Sequence, residues 1–169
     1  MSLTVCITIR PTAPLDWGAL KAIRLAALLD APTAFGVSHA SAAAQGDEEW
    51  QQRASSSAQR TFFLAWHGEQ AVGIAAQVVN SLQECMLIAM WVDPAYRGMD
   101  VAAQLVHAVK QRAMASGHRR LVLDVAADNA RAAAFYRNQG FVFLPEWEPL
   151  ASHPHIQVQK MEWLATDRN

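Results

Sequence analysis

The chain has 169 residues, enough for one domain, residues 1–169, around a single core. Hydrophobic residues make up 52% and charged ones 17%, a globular composition that excludes an intrinsically disordered chain. The net charge is −1 with Lys and Arg scattered, so the concentrated basic field of a nucleic-acid or membrane-surface binder is missing.

In chain order, "TVCITIRP" alternates and is β-branched, a first strand closed by Pro11. From Pro14 to Asp30, Leu15, Ala19, Ile23, Ala26, Ala27 and Leu28 recur at helical spacing, and Pro32 forbids continuation. "APTAFGVSHASAAAQG" reads as a loop by its Pro, Gly and Ser content. "DEEWQQRASS" is a helix with Asp47 as its cap and acids in the first turn. "TFFLAWHGEQAVGIAAQVVN" forms two strands around the turn at His67–Gln70, and "ECMLIAMWVDP" is a strand stopped by Pro94.

A helix follows from about Val101 to Ser116, with Val101, Leu105 and Val109 on one stripe and Gly117 past its end. "RRLVLDVAADN" is a strand whose Leu121, Leu123 and Val125 share one face, with Val122, Asp124 and Ala126 on the other. "ARAAAFYRNQG" is a helix capped by Asn129 and left at Gly140, and "FVFL" and "HIQVQKMEWL" are the last strands. The order implies a mixed α/β domain, with two strand–helix–strand units making its second half locally parallel.

Cys6 and Cys85 sit in apolar runs without CxxC spacing and read as buried free thiols of a reducing compartment. There is no basic region followed by a long apolar stretch, and no apolar run approaches the roughly 18 residues of a membrane span, so the expected location is the cytoplasm. His153 and His155 lack the partner spacing of a zinc site, and no metal is expected.

The loop "DPAYRGMDVAAQLV" joins a strand to a helix, whose first-turn N–H groups can take an anion. Gly98 lets a ligand approach the backbone, Arg97 adds a charged donor, and Ala102 and Ala103 leave room. An Arg-Gly turn also occurs for turn reasons alone. The absence of GxxxxGK[ST] and GxGxxG argues against a Walker loop or a dinucleotide crevice.

Taken together, strand–"RGxxxA"–helix–strand–"DN"–helix–"FYRNQGF", from about Gln83 to Leu144, resembles the GCN5-related N-acetyltransferase (GNAT) family. The resemblance implies a central sheet of about six to seven strands flanked by about four helices. It also implies acetyl-CoA as cosubstrate, with its pyrophosphate on the loop Arg97, Gly98, Met99, Asp100, Val101 and Ala102. Asp100 stands where the family pattern [QR]-x-x-G-x-[GA] has glycine. Either it caps the helix and turns aside, leaving binding weakened, or coenzyme binding is lost.

The resemblance further implies that the backbone of Met90, Trp91 and Val92 pairs with the pantetheine arm, that Asn129 contacts the coenzyme, and that Arg137 reaches its phosphates. Sheet packing, a helix cap and a solvated surface side chain are the competing readings. Tyr136 matches the family's general acid, against a core tyrosine. Asp124, Glu84 or a water chain is the general base. The implied activity is acetyl transfer to an amine, more readily a small molecule than a protein N-terminus, with Phe35, Gly36 and Trp50 on the acceptor side. Dimerisation through the C-terminal strands is common in the family. The alternative is a non-catalytic acyl-CoA-binding regulatory module.

Overall fold

A computed structural model describes residues 5–166. Seven strands form one sheet in the order β1-β2-β3-β4-β5-β7-β6. They are β1 (Thr8–Pro11), β2 (Arg60–His67), β3 (Gln70–Val79), β4 (Cys85–Val92), β5 (Arg120–Ala126), β6 (Val142–Leu150) and β7 (His153–Leu164). The helices are α1 (Trp17–Asp30), α2 (His39–Ala43), α3 (Asp47–Ala54), α4 (Val101–Ala115) and α5 (Ala130–Asn138). The mixed α/β expectation holds, with five helices where about four were expected. Thr4, which the sequence places at the start of the first strand, lies outside the described residues, and Val5–Ile7 precede β1.

Pro14–Asp16 form a 3-10 turn with Pro at its first position, and the α-helix begins only at Trp17. Leu15 in that turn is therefore 95% exposed, and Leu20, Ile23, Ala27 and Leu28 make the buried stripe of α1. The segment read as all loop contains α2, capped by the Ser38 hydroxyl accepting from the Ser41 N–H. Gly46, not Asp47, is the N-cap of α3.

α1–α3 bury one sheet face around Trp50, Leu64, Ile74 and Trp91. The other face packs α4 through Val101, Leu105 and Val109 against Leu121, Leu123, Val125 and Met161. Gly73 permits the close approach of β3 to α4: a Cβ there would lie 3.0 Å from Leu105 Cδ1 and 3.2 Å from Val101 Cγ1.

Two expectations change here. Among the described residues only β4 and β5 are neighbouring parallel strands, because β7 inserts antiparallel between β5 and β6. β6 runs well past "FVFL" through Pro145 and Pro149, which an edge strand tolerates because one side of its backbone needs no partner. Of the two free thiols, Cys85 is buried and accepts from Gln77 Nε2 at 3.3 Å, whereas Cys6 is exposed.

Candidate functional site

β4 pairs along its length with β3, but its ladder with β5 is registered only at Met86 and Val122. Beyond that point the two strands part. The cause lies in β4: Ala89 has a φ of 60°, and three steps from Ile88 to Trp91 oppose two steps from Ala76 to Ile74. This one-residue bulge bends the strand and breaks its pairing. The result is a cleft of about 630 Å³ between Met90–Val92, the loop and first turn of α4, and one face of α5.

At one end of the cleft, Gly98 (φ 80°) and Asp100 (φ 67°) both adopt left-handed conformations to bring the chain into α4. Asp100 is the N-cap residue, yet its side chain makes no capping hydrogen bond, and the residue lines the cleft. The expectation that it caps the helix is thus corrected: a left-handed backbone does not present the side chain to the N–H groups as an extended N-cap does. The first turn, Val101, Ala102 and Ala103, consequently keeps uncapped N–H groups at the positive end of a 15-residue helix. That arrangement fits a diphosphate, against which Asp100 sets one negative charge.

Arg97 lines the cleft, but its guanidinium is engaged. Nε donates to the Val92 carbonyl at 3.0 Å and Nη2 to Asp30 Oδ2 at 2.9 Å, an oxygen that also accepts from Trp91 Nε1 at 2.9 Å. These donors hold the Asp30 carboxyl below the usual carboxylate range, Trp91 contributing most. Arg97 therefore ties the loop to α1 and β4.

Along α5, Ala132, Phe135, Tyr136 and Gln139 face the cleft, as 100° per residue requires. Arg137 falls on the opposite side and stacks over Phe143, its guanidinium carbon 5.0 Å from the ring centre. Arg131 lines the cleft instead and was missed by sequence reasoning, although the helical phase set by Tyr136 separates the two arginines. Met99 is 45% exposed and lies outside the wall. Asn129 does cap α5, accepting from the Ala132 N–H at 3.1 Å, and also lines the cleft. Tyr96, another wall residue not foreseen, brings its hydroxyl within 2.6 Å of His67 Nδ1.

Tyr136 stands edge-on to Phe135 and Phe141, with centroids 5.1 and 5.8 Å away. Burial pushes its phenol well above the ordinary value, so it is protonated at neutral pH. Asp124 projects from the other face of β5, opposite Lys160 of β7. Its carboxyl is pushed up to about 6, first by burial and then by the charge and hydrogen bond of Glu148, with Lys160 opposing. Tyr136 and Asp124 thus approach the gap between β4 and β5 from opposite sheet faces.

Glu84 has a different environment. It accepts from Asn80 Nδ2 at 3.2 Å and Arg120 Nη1 at 3.0 Å and pairs with Lys160 at 3.3 Å. These donors outweigh its burial and lower its pKa, Asn80 contributing most, so it is a weaker base than an ordinary glutamate. Of the acceptor-side residues expected from sequence, Trp50 is 1% exposed and belongs to the core, while Phe35 and Gly36 lie beside the β6–β7 turn, where Ser152 Oγ donates to the Phe35 carbonyl at 2.6 Å. His153 and His155 stack edge-on, 6.0 Å apart. Among the described residues no group of three or more His, Cys, Asp or Glu is placed to hold a metal, and no helix is long and apolar enough to cross a membrane.

A parted parallel strand pair, a bulge on the first strand and an uncapped helix start beyond it shape one open cleft on a mixed α/β sheet. The sequence model of the acetyltransferase (GNAT) family matches residues 24–141, well over half the chain, and the chain belongs to that family of acetyl-CoA-dependent acetyltransferases. Among solved structures, a GNAT acetyltransferase from Streptococcus pneumoniae is similar at 22% identity and TM-score 0.79, covering 95% of this chain and 100% of that one. The ribosomal-protein-S18-alanine N-acetyltransferase of Escherichia coli is 18% identical with a TM-score of 0.68, covering 97% of each chain. The yncA protein of Salmonella typhimurium, solved with its cofactor acetyl-CoA, is 16% identical with a TM-score of 0.74, covering 97% of this chain and 96% of that one. No curated protein sequence matches the chain.

Proposed function

We propose that this chain transfers the acetyl group of acetyl-CoA to the neutral amine of a small molecule in a ternary complex, with Tyr136 as general acid and Asp124 as general base. The cleft where β4 leaves β5 carries the reading, because it joins an anion-binding helix start to a strand edge and a protonated phenol. When bound, acetyl-CoA supplies an activated thioester. The N–H groups of Val101, Ala102 and Ala103 take its pyrophosphate, with Gly98 leaving the approach open and the exposed Arg131 supplying a cation, since Arg97 is engaged with Asp30 and Val92. The unpaired edge of β4 at Met90, Trp91 and Val92 offers the pantetheine arm backbone partners, and Asn129 flanks it from α5.

On the opposite face Asp124 removes a proton from the incoming ammonium, directly or through a water, and its raised pKa suits that task near neutral pH. Tyr136 supplies the proton that the departing sulfur needs. The ion network around Glu84 supports a role in holding Lys160, and through it the field at Asp124. The two free thiols suit the cytoplasm, and the C-terminal strands are the surface through which a dimer would form.

Asp100 favours a second reading, an acyl-CoA-binding regulatory module without turnover. Calorimetric titration with acetyl-CoA followed by an amine screen separates the two. Binding with acetylation of an amine supports the enzyme, binding with no turnover across a broad amine panel supports the module, and no binding removes both.

A further inference from the structure

The end of β4 is held by the sheet on one side. Past Met86 and Val122 it has no registered ladder with β5 among the described residues. Its backbone is kept by β3, through the pairs Ile74–Trp91 and Gly73–Val92 and the Asp93 N–H donating to the Val72 carbonyl at 2.8 Å. Two left-handed residues that are not glycine flank this segment, Ala89 (φ 60°) and Asp100 (φ 67°). Such conformations persist only where the surroundings hold them. Residues 90–99, between the two, carry the open strand edge and lead into the start of α4.

A carboxylate of α1 grips this segment from outside the sheet. Asp30 Oδ2 accepts from Trp91 Nε1 and from Arg97 Nη2, both at 2.9 Å, and Arg97 Nε returns to the Val92 carbonyl at 3.0 Å. Asp30, Trp91, Val92 and Arg97 thereby close a ring of contacts across the turn at residues 93–96. The helix itself disfavours a carboxylate there, because Asp30 is its last residue, at the negative end of the dipole, and the last turn has no basic side chain. The counter-charge comes from Arg97, 67 positions away. The pair adds little to the stability of the fold, since its side chains are 39% and 38% exposed and water screens them. What the ring fixes is geometry.

We propose that Asp30 is a positioning residue of the coenzyme cleft: through Arg97 and Trp91 its carboxylate fixes the bulged end of β4 against the loop that enters α4. The strand edge at Met90–Val92 and the N–H groups of Val101–Ala103 then face one ligand at a set spacing. The proposal rests on the reading of this cleft as the acetyl-CoA site. Asp30 itself is not among the residues that line the cleft, and it acts through two that are, Trp91 and Arg97.

Calorimetric titration of acetyl-CoA into variants of the whole chain, with melts and amide NMR of the same proteins, tests it. Asp30→Asn weakens acetyl-CoA about tenfold. Its Tm stays within about 3 °C of that of the natural protein. Asp30→Glu recovers part of the lost affinity. Arg97→Gln weakens binding about as much, and the double variant is within about twofold of the weaker single one, because both changes break one contact. Asp16→Asn breaks the pair of Arg10 and Asp16 (2.8 Å) at the opposite end of α1, about 20 Å away, and leaves Kd unchanged. That control separates a lost ion pair from lost positioning. Without ligand, Asp30→Asn shifts the amides of residues 90–92 and 97–101 and the Trp91 indole N–H. An unchanged Kd in Asp30→Asn overturns the proposal, as do losses that multiply in the double variant or an equal loss in Asp16→Asn. Failure of the natural protein to bind acetyl-CoA counts instead against the reading of the cleft. The ligand-free spectra then decide whether Asp30 sets the segment, and shifts confined to residues 28–32 overturn that as well.

Discussion

Replacing Asp100 by glycine removes a charge and a strained backbone position together. The residue has a φ of 67° and no capping bond, and it lines the cleft immediately before Val101–Ala103. A left-handed L-residue costs roughly 1–2 kcal/mol, toward the low end for Asp, and glycine returns about 0.5–1 kcal/mol of that through the entropy of the unfolded chain. Stability therefore changes by less than about 1 kcal/mol. Binding changes more: a solvated carboxylate roughly 4 Å from a phosphate repels it by about 1 kcal/mol, so Asp100→Gly tightens acetyl-CoA about fivefold. Asp100→Asn, which removes the charge and keeps the Cβ, recovers most of that gain. Calorimetric titration at low and high salt checks both, and the advantage of either variant shrinks as salt rises. The reasoning is refuted if both variants bind no tighter than the natural protein, or if the gain is independent of salt.

Tyr136→Phe lowers kcat about 100-fold while the acetyl-CoA Kd stays within twofold, as single-turnover and binding measurements together will show. For Asp124 the folded pKa is about 6, above the ordinary 3.8. The rate accordingly rises as pH passes upward through about 6 and then levels, and Asp124→Asn lowers and flattens that limb. The same raised pKa makes the ionised carboxylate a destabilising group: its penalty is full above about 6 and fades as pH falls toward 3.8. Asp124→Asn thus stabilises the fold by about 1 kcal/mol at pH 8, after allowance for solvent screening, and by little at pH 4. Gly73→Val forces a side chain against Leu105 and Val101, costs about 1–3 kcal/mol in denaturation, and weakens acetyl-CoA by moving the start of α4.

Elements whose burial follows a period were legible in the sequence. Val101, Leu105 and Val109 in α4, and Leu121, Leu123 and Val125 in β5, point where their spacing says. The five-residue α2 was hidden because one turn is too short to show a period, and only Ser38 marked it. The length of β6 beyond "FVFL" is not visible locally, because a strand carrying Pro145 and Pro149 is tolerated only at a sheet edge, and the edge is set by long-range order. The insertion of β7 between β5 and β6 is a long-range choice with no local signal. The same holds for the bulge at Ala89, which shapes the cleft through a residue whose side chain says nothing of it.

In the site, the resemblance named the loop and Tyr136, and both line the cleft. The fate of the charged residues was not legible, because it depends on partners far away in the chain. Arg97 meets Asp30 across 67 positions, Glu84 meets Lys160 across 76, and Asp124 meets Glu148 through the β5–β7–β6 order.

The central claim is that the parted edge of β4 and the start of α4 together hold acetyl-CoA, and amide NMR of the natural protein during an acetyl-CoA titration tests it most directly. The account predicts that amides of residues 88–92 and 98–103 shift together, saturably, with one-to-one stoichiometry. Saturable shifts confined to other parts of the chain, or none at all, would contradict it.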